Sequence, residues 1–227
     1  MNPPLPTLVF DFDSTLVSVE GADELFRHTL SGRPDASEIL ARFQALTDAG
    51  MEGRMSYEAS LKARLSLLKA SREEVEAVGR DLVARITPSV WTLRARLALH
   101  AHRIWIVSGG FHELIEPVAD ALGLLREQVR AQRFRWDEED RVAGVDPRTP
   151  MARGGKPEAL SDAGITNPIW IIGDGTTDLE LRERGLAERF YAFTENQRRS
   201  VVVERADGEL TSLDQLSTLN HPPPEPL

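Results

Sequence analysis

Three short apolar runs constrain this chain most, because each stops abruptly at a polar turn. Leu8-Val9-Phe10 runs into Asp11-Phe12-Asp13-Ser14, Ile104-Trp105-Ile106-Val107 into Ser108-Gly109-Gly110, and Ile169-Trp170-Ile171-Ile172 into Gly173-Asp174-Gly175. Unbroken β-branched and aromatic runs of this length read as strands buried on both faces, the kind found in parallel sheets. Helix-like stretches such as Glu113 to Leu122 and Glu158 to Ala163 alternate with them, giving βαβ units with right-handed crossovers. The expected fold is α/β: a Rossmann-like, doubly wound parallel sheet that brings all three polar turns to one edge, where open sheets bind their ligands.

A long stretch after the first run breaks this rhythm and reads as helical throughout. Ser37 is positioned to cap a helix carrying Ile39, Leu40, Phe43 and Leu46, and Ser56 one carrying Leu61, Leu65 and Leu68. Ser71-Arg72-Glu73-Glu74 is a capping box opening a third, with Val75, Val78 and Leu82 on one face. Residues 18–87 therefore form an expected small helical domain inserted into a core made of 1–17 and 88–220. The return to the sheet is expected near Thr87-Pro88, where proline disfavours a continuing helix. Val129 to Trp136 and Arg141 to Val145 suggest a hairpin around the acidic turn Asp137 to Asp140, and the proline-rich segment 221–227 a flexible tail.

The paired aspartates raise an electrostatic problem. Carboxylates as close as Asp11 and Asp13 raise each other's pKa unless a cation or proton offsets them. A divalent metal held by hard oxygen ligands is the natural offset, and points to magnesium. The 227 residues carry a net charge of -9, which disfavours nonspecific binding to nucleic acid or anionic membranes. With no cysteine, thiolate catalysis and cysteine-ligated zinc are excluded. No apolar run is long enough to span a bilayer and no signal segment precedes the first run, so the cytoplasm is the expected compartment. The histidines have no metal-ligand spacing and are assigned to surface or packing roles.

The strand-end residues supply a phosphoryl-transfer set. Asp11 can attack phosphorus and form an aspartyl-phosphate, splitting one difficult hydrolysis into two easier steps. Asp13 can protonate the leaving oxygen and later deprotonate water. Asp174 would complete a metal site, with Asp178 behind it orienting water or a neighbouring cation. Ser108 and the amides that follow, beginning at Gly109, can donate to phosphoryl oxygens, since glycine allows close backbone approach. Pro157 suits the first turn of a helix, which puts Lys156 at an anion-favouring N-terminus. Taken singly, each residue is as well explained as a cap or turn former; their order along the chain is not.

Together these motifs, Asp11-Phe12-Asp13-Ser14-Thr15, Ser108-Gly109-Gly110, Lys156 and Gly173-Asp174-Gly175-Thr176-Thr177-Asp178, resemble the four motifs of the haloacid dehalogenase superfamily and, within it, the phosphoserine phosphatase family. The resemblance implies a magnesium-dependent phosphomonoesterase with Asp11 as nucleophile and Asp13 as general acid/base. It further implies metal held by Asp11, the Asp13 carbonyl and Asp174, beneath a helical cap. It implies phosphoserine as the small-molecule partner, with Glu20 receiving its ammonium and Arg64 its carboxylate, and with Met51 and Tyr57 as pocket walls. An arginine fork matches a carboxylate bidentately. Thr194-Glu195-Asn196 replaces a loop that is often glycine-rich, and Glu195 there would repel an anionic substrate. The rival readings are a phosphatase or phosphotransferase acting on another small phosphorylated metabolite, and a non-enzymatic phospho-switch resembling a response-regulator receiver. The oligomeric state is left open.

Overall fold

The computed structural model describes residues 5–51, 54–216 and 219, with Asp48, Gly50, Met51, Tyr57 and Glu58 described in backbone only. The apolar strand β1 (Thr7–Phe10) is buried along its whole length. It pairs in parallel with β2 (Ile104–Phe111) on one side and β6 (Ile169–Gly173) on the other. With β3 (Val129–Gln132), β7 (Arg189–Phe193) and β8 (Gly208–Leu210) these form a six-stranded parallel sheet ordered β3-β2-β1-β6-β7-β8. The order reverses between β1 and β6, and the carboxyl ends of those two strands therefore flank a crevice.

Alternate residues of each strand face opposite layers. Leu8, Phe10, Ile104 and Ile106 join one apolar mass with Leu114, Ile115 and Val118 of α7 (His112–Ala121). Val9, Val107 and Ile171 join the other, with Leu160 of α8 (Pro150–Asp162) and Leu179 of α9 (Thr176–Glu183). Helices thus cover both faces of the sheet, as the continuous apolar runs require.

Between β1 and β2 lie α1 (Gly21–Leu30), α2 (Ala36–Met51), α3 (Tyr57–Leu67) and α4 (Arg72–Asp81), followed by α5 (Pro88–Thr92) and α6 (Arg94–Leu99). Ser56 caps α3 by accepting from the Ala59 amide at 3.2 Å, and Ser71 with Glu74 forms the expected box on α4. Two outgoing and returning segments run side by side: Val17 bridges Ile86, the Ser18 amide donates to the Arg85 carbonyl at 2.9 Å, and the Thr87 amide to the Leu16 carbonyl at 3.0 Å. Helix α4 lies directly on α7. Pro117 inside α7 cannot donate to the Glu113 carbonyl, and a Cβ at Gly79 would come within 2.7 Å of that oxygen.

Several local expectations need correction. Helix α2 begins at Ala36, so Ser37 lies inside its first turn and is not the cap. Pro88 does not return the chain to the sheet; it opens α5, because a missing N–H is harmless in a first turn. Val129–Gln132 is not half of a hairpin but the edge strand β3, paired in parallel with β2. The antiparallel hairpin is the shorter pair β4 (Phe134–Trp136) and β5 (Val142–Val145). β2 runs on through Ser108-Gly109-Gly110 to Phe111, with a register shift between Val107 and Phe111. Residues 221–227, expected to be a tail, lie outside the described residues. Among the described residues no helix is long and apolar enough to cross a membrane.

Gly79→Ala should force α4 away from α7 and lower stability by about 1–3 kcal/mol, the usual cost of overpacking. Denaturant unfolding at fixed m-value measures it; an unchanged midpoint would mean that the two helices separate freely.

Candidate active site

The site begins where β1 ends. The Asp11 amide continues the ladder to the Ile172 carbonyl at 2.9 Å, and its Oδ1 accepts from the Phe12 amide at 2.7 Å. The chain then makes one wide turn, closed by the Val17 amide on the Phe12 carbonyl at 3.1 Å, inside which Asp13 and Ser14 leave helical geometry. Asp13 Oδ1 accepts from the Gly21 amide at 2.8 Å, the first amide of α1, where an anion is favoured. Added Cβ atoms at Gly21 and Gly110 would lie 3.3 Å and 3.4 Å from the Asp13 carboxylate oxygens. Glycine at both positions lets main chain close in on this side chain.

From β2, Ser108 Oγ accepts from the Gly110 amide at 3.0 Å, which leaves its own proton free to donate. From α8, Lys156 arrives through a break in the helix at Gly154 and Gly155. Gly155 has φ 65° and ψ −156°, a conformation essentially reserved for glycine. Lys156 is buried, and its Nζ lies 2.9 Å from Asp11 Oδ2 and 2.6 Å from Asp178 Oδ1. After β6, Asp174 accepts from Arg199 Nε at 3.0 Å. Asp178 packs so tightly against β6 that a Cβ at Gly173 would sit 2.5 Å from its carboxyl carbon.

Carboxylate oxygens of Asp11, Asp174 and Asp178 all lie within 4.8 Å of one another, and all three residues are buried. Such a set of hard oxygen donors with surplus negative charge fits a divalent cation. The electrostatics agree. Burial, then Glu20 and Asp11, push the Asp13 carboxyl well above its usual range, more than the Gly21 amide lowers it. Burial and Asp11 also raise Asp174, against Arg199. Burial opposes the Lys156 charge, but Asp11 and Asp178 outweigh it and hold the ammonium protonated.

The residues expected to recognise substrate lie in the inserted helices or at their entry. Glu20 Oε1 accepts from Ser14 Oγ at 2.7 Å. Arg64, half-buried on α3, places its guanidinium carbon 5.5 Å from the Phe43 ring centroid. Its buried Nε has no hydrogen-bond partner among the described residues. The Met51 and Tyr57 side chains lie outside the described residues. Glu195 accepts from the Ser89 amide at 3.1 Å and from the Ser89 hydroxyl, at the start of α5.

Arg199 on Asp174 went unread in the sequence, and Asn196 was singled out only as part of the Thr194-Glu195-Asn196 loop. Asn196 Nδ2 donates to the Ser14 carbonyl at 3.1 Å and to Thr87 Oγ1 at 2.7 Å. Both follow β7, whose run Phe190-Tyr191-Ala192-Phe193 has the same signature as the other interior strands. Treating it as a fourth such run would have drawn attention to its loop.

A sheet with this order and these strand-end groups defines a class. Residues 8–183 match the family model of haloacid dehalogenase-like hydrolases. Phosphoserine phosphatase of Arabidopsis thaliana, a chloroplastic protein, is 34% identical over 91% of this chain and 69% of its own length. Among solved structures, a phosphoserine phosphohydrolase-like protein from Francisella tularensis superposes with a TM-score of 0.81 at 28% identity, covering 95% of this chain and 100% of its own. A phospho-aspartyl intermediate analogue of phosphoserine phosphatase superposes with a TM-score of 0.68 at 26% identity, covering 94% and 98%. The chain belongs to the haloacid dehalogenase-like hydrolases and, among them, to the phosphoserine phosphatase family.

The raised carboxyls set a pH dependence for the metal-free protein. Asp13 and Asp174 keep protons in the folded state at pH values where the unfolded chain, at about 4, has lost them. Through these groups stability falls as pH rises above about 4, whereas Glu116, Asp120, Asp146 and Asp207, held below their usual range by cationic partners, act in the opposite sense. A divalent cation bound at the raised carboxyls must displace their protons, so it should raise Tm more near neutrality than at about pH 5. Equal stabilisation at both pH values would contradict the charge balance.

Proposed function

We propose that this chain hydrolyses O-phospho-L-serine to serine and inorganic phosphate through a phosphoryl group carried on Asp11. The observation that supports this most is the placement of a buried Asp11 carboxylate 2.9 Å from the Lys156 ammonium and within 4.8 Å of two further acidic side chains. In the first step an Asp11 oxygen forms a bond to phosphorus while the bond from phosphorus to the serine oxygen breaks. Asp13, whose hold on its proton is raised by burial and by Glu20, gives that proton to the departing oxygen. In the second step Asp13, now ionised, takes a proton from a water that attacks phosphorus, and Asp11 leaves as a carboxylate. The Ser108 hydroxyl and the Gly109 amide donate to the phosphoryl oxygens, and Lys156 balances their charge.

Magnesium is the cofactor we assign, held by Asp11, Asp174 and the Asp13 carbonyl, with Asp178 fixing Lys156 beside it. When bound it supplies charge neutralisation of carboxylates and phosphoryl oxygens together. Glu20 and Arg64 are assigned to the substrate ammonium and carboxylate, and Met51 and Tyr57 to the pocket wall. The helical insert and the acid two residues after Asp11 favour this reading over a receiver-like switch, which needs neither. Another small phosphomonoester, or another phosphoryl acceptor, would use the same chemistry with different recognition.

Asp11→Asn should abolish turnover with the fold intact, since the amide is close in shape but a poor nucleophile. Phosphate release with magnesium, alongside circular dichroism, tests it; turnover near that of the unsubstituted enzyme would remove Asp11 from its role. Arg64→Ala should lower kcat/KM for phosphoserine about tenfold to a hundredfold, the value of one charged hydrogen-bond partner at about 1.5–3 kcal/mol. Phosphoethanolamine, which lacks the carboxylate, should be affected far less. Equal losses on both would contradict the contact.

A further inference from the structure

Ser14 has a backbone that a serine does not choose. Its φ is 53° and ψ 6°, in the left-handed region. Asp140 is the other non-glycine residue with positive φ among the described residues, and it sits in the exposed turn between β4 and β5. Ser14 is instead buried, one residue from Asp13. Glycine would adopt this conformation without steric cost, so a serine here calls for a use of its hydroxyl.

The surroundings show where that hydroxyl goes and what holds the backbone. Ser14 Oγ donates to Glu20 Oε1 at 2.7 Å, and the Ser14 amide donates to the Val19 carbonyl at 3.3 Å, closing the loop that leads to Glu20 from both main chain and side chain. The Ser14 carbonyl accepts from Asn196 Nδ2 at 3.1 Å, and the same amide group donates to Thr87 Oγ1 at 2.7 Å. Thr87, fully buried, passes its own hydroxyl proton to the Thr15 carbonyl at 2.7 Å. Three separate segments of chain thus converge on one strained peptide.

We infer that Ser14 is a positioning residue for substrate selection: its hydroxyl aims the Glu20 carboxylate at the substrate's ammonium group, and Asn196 and Thr87 hold the left-handed backbone that makes this aim possible. The inference rests on the proposed role of Glu20. Selection depends on the hydroxyl because Glu20 sits at the end of a loop with water on one side, where an untethered carboxylate would sample several rotamers. The order of the turn is set by the core, through Asn196 beyond β7.

The test compares kcat/KM for phosphoserine with that for the matching glycerate phosphate ester, in which a hydroxyl replaces the ammonium. Glu20→Gln should reduce this ratio about tenfold, and Ser14→Ala and Ser14→Gly should reduce it by a similar factor, mainly through KM for phosphoserine. Adding Ser14→Ala to Glu20→Gln should reduce it little further, as expected for two residues acting as one unit. A general structural defect would slow both substrates alike and leave the ratio unchanged. If Glu20→Gln lowers the ratio and neither Ser14 variant does, the inference is overturned and the Glu20 assignment survives. If Glu20→Gln leaves the ratio unchanged, the Glu20 assignment fails and the inference with it. Ser14→Gly, relieved of strain, should also keep a Tm at or above that of Ser14→Ala; a lower one would contradict the strain on which the inference is built.

Discussion

Four carboxylates converge on the crevice between β1 and β6 with one buried ammonium, Lys156, to hold them. Burial makes each carboxylate expensive as an anion, and Lys156 answers two of them, Asp11 and Asp178, at 2.9 Å and 2.6 Å. Arg199 answers Asp174 from the half-exposed side. Asp13 makes no ion pair among the described residues and accepts from the Gly21 amide at the start of α1. The remaining deficit of positive charge is a property of the folded chain, and it makes the crevice receptive to a divalent cation.

Much of the surrounding backbone can be understood as making that convergence possible. The helix carrying Lys156 has to break to let the side chain in, and Gly154-Gly155 supply the break. Asp178 can reach Lys156 only because β6 ends in a residue without a Cβ. Gly21 and Gly110 let α1 and β2 press against Asp13. Each glycine costs chain entropy on folding; at Gly21, Gly110 and Gly173 a side chain would press on the carboxylate of Asp13 or Asp178, and at Gly155 the positive φ is what excludes one.

The sheet and the charged centre were largely legible in the sequence, because their signals are local. Interior strands announce themselves by unbroken apolar runs, and Asp11, Asp13, Ser108, Lys156, Asp174 and Asp178 follow strand ends or a glycine break. The errors arose where one local signal serves two structures. Proline at 88 is as good at opening a helix as at ending one, and the alternation in Val129 to Trp136 does not reveal that its first half pairs with β2 and its second half with β5. Asn196 and Thr87 both lie in segments that the sequence singles out, but their contact cannot be read from it. Their partners are 182 and 109 residues away for Asn196, a relation that only the tertiary structure creates.

The charged centre and the residues proposed to recognise substrate lie in different parts of the chain. The charged centre is assembled from strand ends, whereas Arg64 lies on α3, in helices joined to the core by paired segments near Val17 and Ile86. Its buried Nε has no acceptor among the described residues, and an unsatisfied buried donor of this kind costs about 1–3 kcal/mol or more. The guanidinium lies against Phe43, and a substrate carboxylate arriving there, as proposed for phosphoserine, would offer that donor an acceptor.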